Sequence, residues 1–262
     1  MLQIKVKNEY SETLDFSGNT NYIITNVTGI TPPGANLNFS DAATKDGSVF
    51  NSSRVANRNI VLTVLPQGNV EANRVYLYNF FKTKKAVTLY FKTALREVYI
   101  NGYVETMETA LYSQKEEMQI SIICPDPYLL DVDATSENMV ASETIGTFSP
   151  DNEGDDNIGF VIDLSFNGTV NGVKIMNNTF EYIGVNAEFE QYDILRISTV
   201  RGEKGIWKLR NLTKTNLINY LDLNSQWLQL NAGINDLSVI LTDGSINNVE
   251  GVLTFRKVYE GV

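Results

Sequence analysis

Glu71-Ala72-Asn73-Arg74-Val75-Tyr76-Leu77-Tyr78-Asn79-Phe80-Phe81-Lys82 opens the stretch from which the rest of the chain is read. Leu77, Phe80 and Phe81 stand at the i, i+3, i+4 spacing that puts three large apolar groups on one helical face. Pro66 and Gly68 interrupt the chain just before it, so the spacing predicts a helix over 71–82. Lys82, Lys84 and Lys85 suit the negative end of that helix. Three alternating segments follow: Val87, Leu89 and Phe91; then Val98, Ile100 and Val104; then Met118, Ile120 and Ile122. Period two means strands with one buried and one wet face. Cys124-Pro125-Asp126-Pro127-Tyr128 ends the block, because two prolines so close do not sit in a central strand.

Working outward toward the N-terminus, Leu2, Ile4 and Val6 alternate as a first strand, and Tyr22–Val27 reads as a second. Arg58–Leu65 is a strong strand with Ile60, Leu62 and Val64 on one face. Between them lies Thr28–Asn57, about thirty residues of weak periodicity holding Pro32-Pro33-Gly34 and Asp46-Gly47. So long a segment that packs poorly on its own domain reads as an arm that meets a partner, or as a floppy loop. Asp46-Gly47 between Leu37-Asn38-Phe39 and Val49-Phe50 suits a hairpin turn. The candidate contact residues of the arm are Pro32, Pro33, Leu37, Phe39, Val49 and Phe50.

The C-terminal side differs in composition. Up to Tyr128 the chain has equal numbers of acidic and basic residues, so the net charge of −10 falls wholly beyond it. Such an imbalance suggests two domains, and a protein this acidic has no long-range attraction for DNA or anionic membranes. Residues 131–157 are rich in Ser, Glu, Asp, Thr and Asn and read as an acidic linker with one short strand near Ile145–Phe148. Within them, Asp151–Asn157 looks superficially like a calcium loop, but its glycine is misplaced for an EF-hand and Ile162 stands where the closing Glu belongs. Beyond Ile158, short strands are expected at Gly159–Phe166, Val170–Met176, Ile194–Val200, Ile206–Leu212, Leu217–Leu223, Trp227–Leu230, Leu237–Thr242 and Val252–Tyr259. Turn signals such as Asn167-Gly168 and Asp243-Gly244 lie between them, so residues 158–262 suggest an antiparallel β-sandwich.

Several chemistries are excluded at once. The chain has no histidine, which removes Ser-His and Cys-His nucleophile pairs and His-ligated metals. One cysteine, Cys124, permits no internal disulfide and reads as a small buried hydrophobe. No phosphate-binding or dinucleotide-binding glycine motif is present, and no apolar run reaches the ~20 residues of a membrane helix. Carboxylate pairs are what remains: Glu105 with Glu108, Glu188 with Glu190, and Asp222. Two residues apart on a strand, Glu188 and Glu190 would share a face, yet a solvated acidic face is the simpler reading. Trp207 and Trp227 are candidate sugar-stacking rings, with core packing as the plainer alternative. Neither a cofactor nor a metal is expected, and the chain reads as a non-enzyme.

The order Arg74…Leu77-Tyr78…Phe80-Phe81, Leu89-Tyr90-Phe91, Ile100-Asn101-Gly102-Tyr103-Val104-Glu105 and Ile120-Ser121-Ile122…Cys124-Pro125-Asp126-Pro127-Tyr128 resembles the distal tail protein family of long-tailed, siphovirus-type bacteriophages and related tail-like particles. Gly29-Ile30-Thr31-Pro32-Pro33 with Asp46-Gly47-Ser48 resembles the family's arm. Asp193–Thr199 and Leu228–Asn235 resemble its C-terminal galectin-like module. The resemblance implies an all-β fold: residues 1–130 as a tail-tube-like β-domain with an arm (28–57) and one packed helix, and residues 158–262 as a galectin-like sandwich. It also implies a structural virion protein, with the N-terminal domain closing a hexameric ring with itself at the distal end of the tail. The arm would join neighbours in that ring. The implied partners are the tail tube protein, a tail-associated tip protein and receptor-binding proteins, without sequence-specific nucleic acid contact or membrane insertion. The alternative is a carbohydrate-binding module that recognises host cell-wall glycans through residues 158–262.

Overall fold

The computed structural model describes residues 2–41 and 46–262. The chain divides into two compact units, the first comprising residues 1–132 and 259–262, the second residues 133–258. The fold is mostly β, with a single α-helix among the described residues.

The first unit contains β1 (Gln3–Asn8), β2 (Thr13–Asp15), β3 (Tyr22–Thr28), β4 (Ala35–Asp41), β5 (Ser48–Val55) and β6 (Arg58–Pro66). Helix α1 (Val70–Phe80) follows, then β7 (Ala86–Lys92), β8 (Glu97–Thr109), β9 (Met118–Cys124) and β10 (Leu129–Asp131). Seven strands run in the order β2-β1-β7-β8-β9-β6-β3, all antiparallel where paired, and β10 adds to β8. The expected alternation is present: Val87, Leu89 and Phe91 of β7 and Met118, Ile120 and Ile122 of β9 are buried. Leu77, Phe80 and Phe81 share their core. Asn69 caps the helix by accepting the Ala72 amide at 3.2 Å, which supplies one of the donors left orphaned at a helix start.

The helix ends at Phe80, two residues earlier than its apolar spacing suggests. Lys82, Lys84 and Lys85 therefore lie past its last turn. Lys84 adopts φ +70, which a continuing helix does not allow, and its amide bonds the Val104 carbonyl. Lys85 pairs instead with Glu9 at 2.8 Å.

The second unit is a sandwich. Its strands are β11 (Thr135–Asn138), β12 (Val140–Ala141), β13 (Gly146–Phe148), β14 (Asp151–Asn152), β15 (Phe160–Phe166), β16 (Val170–Asn177) and β17 (Tyr182–Phe189). They continue with β18 (Ile194–Ser198), β19 (Gly205–Arg210), β20 (Thr213–Asn216), β21 (Gly233–Ile234), β22 (Leu237–Asp243) and β23 (Val249–Phe255). One sheet runs β11-β23-β15-β18-β19-β20 and the other β12-β13-β22-β16-β17. Inward residues of both, among them Phe160, Ile162, Leu164, Ile175, Val185, Val239 and Leu253, form one core, as face-to-face packing of alternating strands requires.

Three expectations are corrected here. Residues 131–157 do not form a linker: β10 belongs to the first unit's sheet, while β11 to β14 pair into the second unit. Few apolar anchors suffice there, because Phe148 is buried and the fully buried Asn152 side chain donates to the carbonyls of Asp156 and Asn231. Leu217–Leu223 and Trp227–Leu230 are not strands. The former holds a short 3-10 turn (Ile218–Tyr220), and Leu230 makes only an isolated bridge with Ile158. Conversely, β17 carries no clean alternation in its sequence, and it forms the edge beside β16.

Candidate functional site

The arm begins where β3 ends. Gly29 has φ +82, and a Cβ there would lie 2.0 Å from the Asn59 carbonyl oxygen, so only glycine allows this exit. The guanidinium of Arg58, buried at the start of β6, donates to the Gly29 carbonyl at 3.2 Å and to the Glu260 carbonyl at 2.6 Å. Burial lowers its pKa, and the two carbonyls hold the charge in place. The Val262 amide donates to the Ile30 carbonyl at 3.1 Å. The root of the arm is therefore pinned at two carbonyls, those of Gly29 and Ile30. Pro32, exposed, and Pro33, half-buried, lie in this root rather than in the arm itself.

Beyond the root the chain forms a two-stranded ribbon. Among the described residues β4 and β5 pair only with each other, from Ala35↔Val55 to Asp41↔Ser48. Gly47 takes φ +92 in the turn; Ala42–Lys45 lie outside the described residues. Asn51 is an extra residue in β5, since Asn38 faces Ser52 while Phe39 faces Phe50. That bulge fixes the faces. Ala35, Leu37 and Phe39 share one face of β4, and the register sets Val55 and Phe50 opposite Ala35 and Phe39 on that face. The Phe39 and Phe50 rings meet edge to face at 5.9 Å. The other face carries Asn36, Asn38, Ser40, Ser52 and Arg54, with Val49 as its one apolar side chain between the strands' ends.

Both faces meet solvent in the single chain. Leu37 is 56% exposed, Phe39 49%, Val49 58% and Phe50 55%. A two-stranded ribbon on its own is marginal in water, and clustered exposed aromatics mark a contact surface. The weak periodicity of Thr28–Asn57 has its cause here: no core of its own chain selects one face.

The other candidates are dispersed. Trp207, in β19, is half-buried, with its ring against Gly205 and the Lys214 ammonium 4.0 Å from the ring centroid. Trp227 packs on the sandwich core with Lys204 5.9 Å from its ring. No ring contact joins them among the described residues. Glu190 lies past the end of β17, so it does not share a strand face with Glu188; it pairs with Arg210 at 2.7 Å. Glu105 accepts from Ser121 at 2.9 Å, and Asp222 from the Tyr182 hydroxyl at 3.1 Å. Every carboxyl with a resolved shift is held down rather than raised, the reverse of a general acid. Among the described residues no three carboxylates or thiols gather as a metal site, the Asp151–Asn157 turn included.

One buried charge cluster leaves no pattern in the sequence. Asp193 is fully buried beside Lys208 at 2.7 Å and Arg210 at 2.6 Å, and accepts the Glu190 amide at 2.8 Å. Burial pushes its pKa up, but the Glu190 amide, Lys208 and Arg210 outweigh burial and hold it below the usual carboxylate range. These contacts tie the β17–β18 turn to β19. Cys124 is buried, and burial pushes its thiol up to about 12.

The chain has likenesses among known proteins. Residues 153–259 match the model of the siphovirus-type tail component, C-terminal domain family, and the expected resemblance to phage tail proteins is borne out. Among solved structures, the chain is similar to the Dit protein (gp 19.1) of phage SPP1, described as a paradigm of the hub adsorption apparatus in phages that infect Gram-positive bacteria. That likeness has a TM-score of 0.75 at 13% identity and covers 97% of this chain and 98% of that one. A chain of the phage P2 baseplate, in its activated conformation with Ca, matches at TM-score 0.55 and 12% identity over 100% of both chains. The same baseplate with Sr gives 0.52 and 13%. At such identities the likeness establishes the fold. No curated protein matches the chain.

Proposed function

We propose that this protein is the distal ring of a long, non-contractile phage tail, joining the tail tube to the tip and serving as a hub for tail-associated and receptor-binding proteins. The observation that carries this reading is the β4–β5 arm, an amphipathic ribbon whose apolar face, among the described residues, packs on neither core. Two facts support it further: residues 153–259 match a tail-component domain, and the whole chain has the fold of the SPP1 hub protein. A closed ring repeats one head-to-tail contact, so each copy must offer two different complementary surfaces; the arm is one of them. Six copies close the ring, the first unit forms it, and the second unit is left for adsorption proteins. The net charge of −10 favours protein partners over nucleic acid. Native mass spectrometry of the purified protein tests the reading: a hexamer supports it, and a monomer at micromolar concentration removes it.

A further inference from the structure

Tyr259–Val262 belongs to the first unit, although it follows the whole second unit in sequence. Tyr259 anchors the segment. Its ring is buried in the first unit's core, its hydroxyl donates to Asp131 at 3.4 Å, and the Arg96 guanidinium lies 4.2 Å from the ring centroid. The next three residues are held through their backbone. Arg58 donates to the Glu260 carbonyl at 2.6 Å and Arg96 to the Gly261 carbonyl at 2.8 Å, while the Val262 amide donates to the Ile30 carbonyl at 3.1 Å. Gly261 lies close against Pro32, since a Cβ there would stand 2.9 Å from the proline Cδ.

We propose that Tyr259–Val262 is a strap that aims the arm. Seated, it fixes the direction in which β4 and β5 leave the first unit; lifted at Glu260–Val262, it lets the arm swing about Gly29. This concerns the single chain and does not depend on whether copies assemble.

Four observations carry it. The first is that the arm's direction is set at its root, because among the described residues β4 and β5 pair only with each other and neither joins a core. The second is where the strap sits. Ile30 and Pro32 meet it directly, and Arg58 joins it to Gly29 by donating to both carbonyls. The third is that the strap can lift without opening the core. Tyr259 is its one core residue; Glu260 and Val262 are only half-buried, and Gly261 has no side chain to withdraw. A segment held by a few hydrogen bonds opens far more readily than the sheet beneath it. The fourth is the bias toward closure. Arg58 is 4% exposed and its Nε has no hydrogen-bond partner. Lifting the strap takes the Glu260 carbonyl from a guanidinium that is already incompletely satisfied, and a buried charge resists that loss. The seated state is therefore the resting one.

Spin-label distance measurement in the full chain tests the strap. Nitroxides are placed on the arm at Ser52→Cys and on β1 at Lys7→Cys, both exposed positions; buried Cys124 takes no label. The labelled protein is diluted into unlabelled protein, so that only pairs within one chain are read. Val262→Pro removes the amide that bonds Ile30, and Gly261→Ala drives a methyl against Pro32. Both variants are expected to keep the circular dichroism of the parent. The parent should give one narrow distance distribution, and each variant should widen it at least about twofold. A distribution equally narrow in both variants, or already broad in the parent, would overturn the strap. Neither result bears on ring formation, which native mass reads separately.

Discussion

If the arm joins neighbouring copies as proposed, replacing both of its phenylalanines, Phe39→Ala with Phe50→Ala, removes the centre of that contact and leaves the subunit fold alone. The two rings touch each other at 5.9 Å and sit outside both buried cores. Each is about half exposed in the single chain, so each has roughly 100 Å² to bury on docking. At about 25 cal/mol per Å² the pair contributes about 5 kcal/mol per contact, of which the remaining alanine methyls recover about 1. A loss of about 4 kcal/mol weakens each contact about a thousandfold. Sedimentation velocity across a dilution series reads this directly: the variant should run as a monomer at concentrations where the unaltered protein is a ring. Its thermal unfolding midpoint as a monomer should be unchanged. A variant that assembles over the same concentration range as the unaltered protein would refute the placement of these rings at the contact.

Other outcomes follow from single positions. Gly29→Ala places a methyl against the Asn59 carbonyl at φ +82, so it should cost at least about 2 kcal/mol, seen as a lower urea midpoint for the first unit. Asp193→Asn leaves Lys208 and Arg210 without their carboxylate and should cost the second unit about 2 kcal/mol at neutral pH, a figure reduced because both cations reach solvent. Because the folded pKa of Asp193 is depressed, its contribution is complete above the unfolded value near 4 and fades as pH falls through the lower folded value. Chemical denaturation at pH 7 and pH 3 should therefore show the gap between Asp193→Asn and the unaltered protein closing at the acidic end. The Cys124 thiol, pushed up to about 12, should stay unreactive toward a disulfide reagent at pH 8 until denaturant is added.

Much of the first unit was legible because its strands are buried on one face only. Val87, Leu89 and Phe91, or Met118, Ile120 and Ile122, alternate without interruption, and the core lies where they point. The sequence failed where burial is not what orders the chain. The acid-rich residues 131–157 fold through strand pairing and a buried Asn152 rather than through apolar periodicity. β17, with Gly184 at its middle and buried residues in succession at Ile183, Gly184 and Val185, hides its alternation, while leucines in the 217–223 segment imitate a strand they do not form. The arm was visible as a segment with no home, but its apolar face emerges only with the bulge at Asn51, which sets Phe50 rather than Asn51 opposite Phe39. Arg58 gave no signal at all, since its role depends on carbonyls of Gly29 and Glu260 that only the fold brings to it.

The most direct test of the central proposal is electron microscopy of the purified chain combined with its native mass. The account predicts closed, sixfold rings with about six times the 29.3 kDa subunit mass, lost when Phe39 and Phe50 are both alanine. A protein that remains monomeric at micromolar concentration, or rings that persist in the double variant, would contradict it.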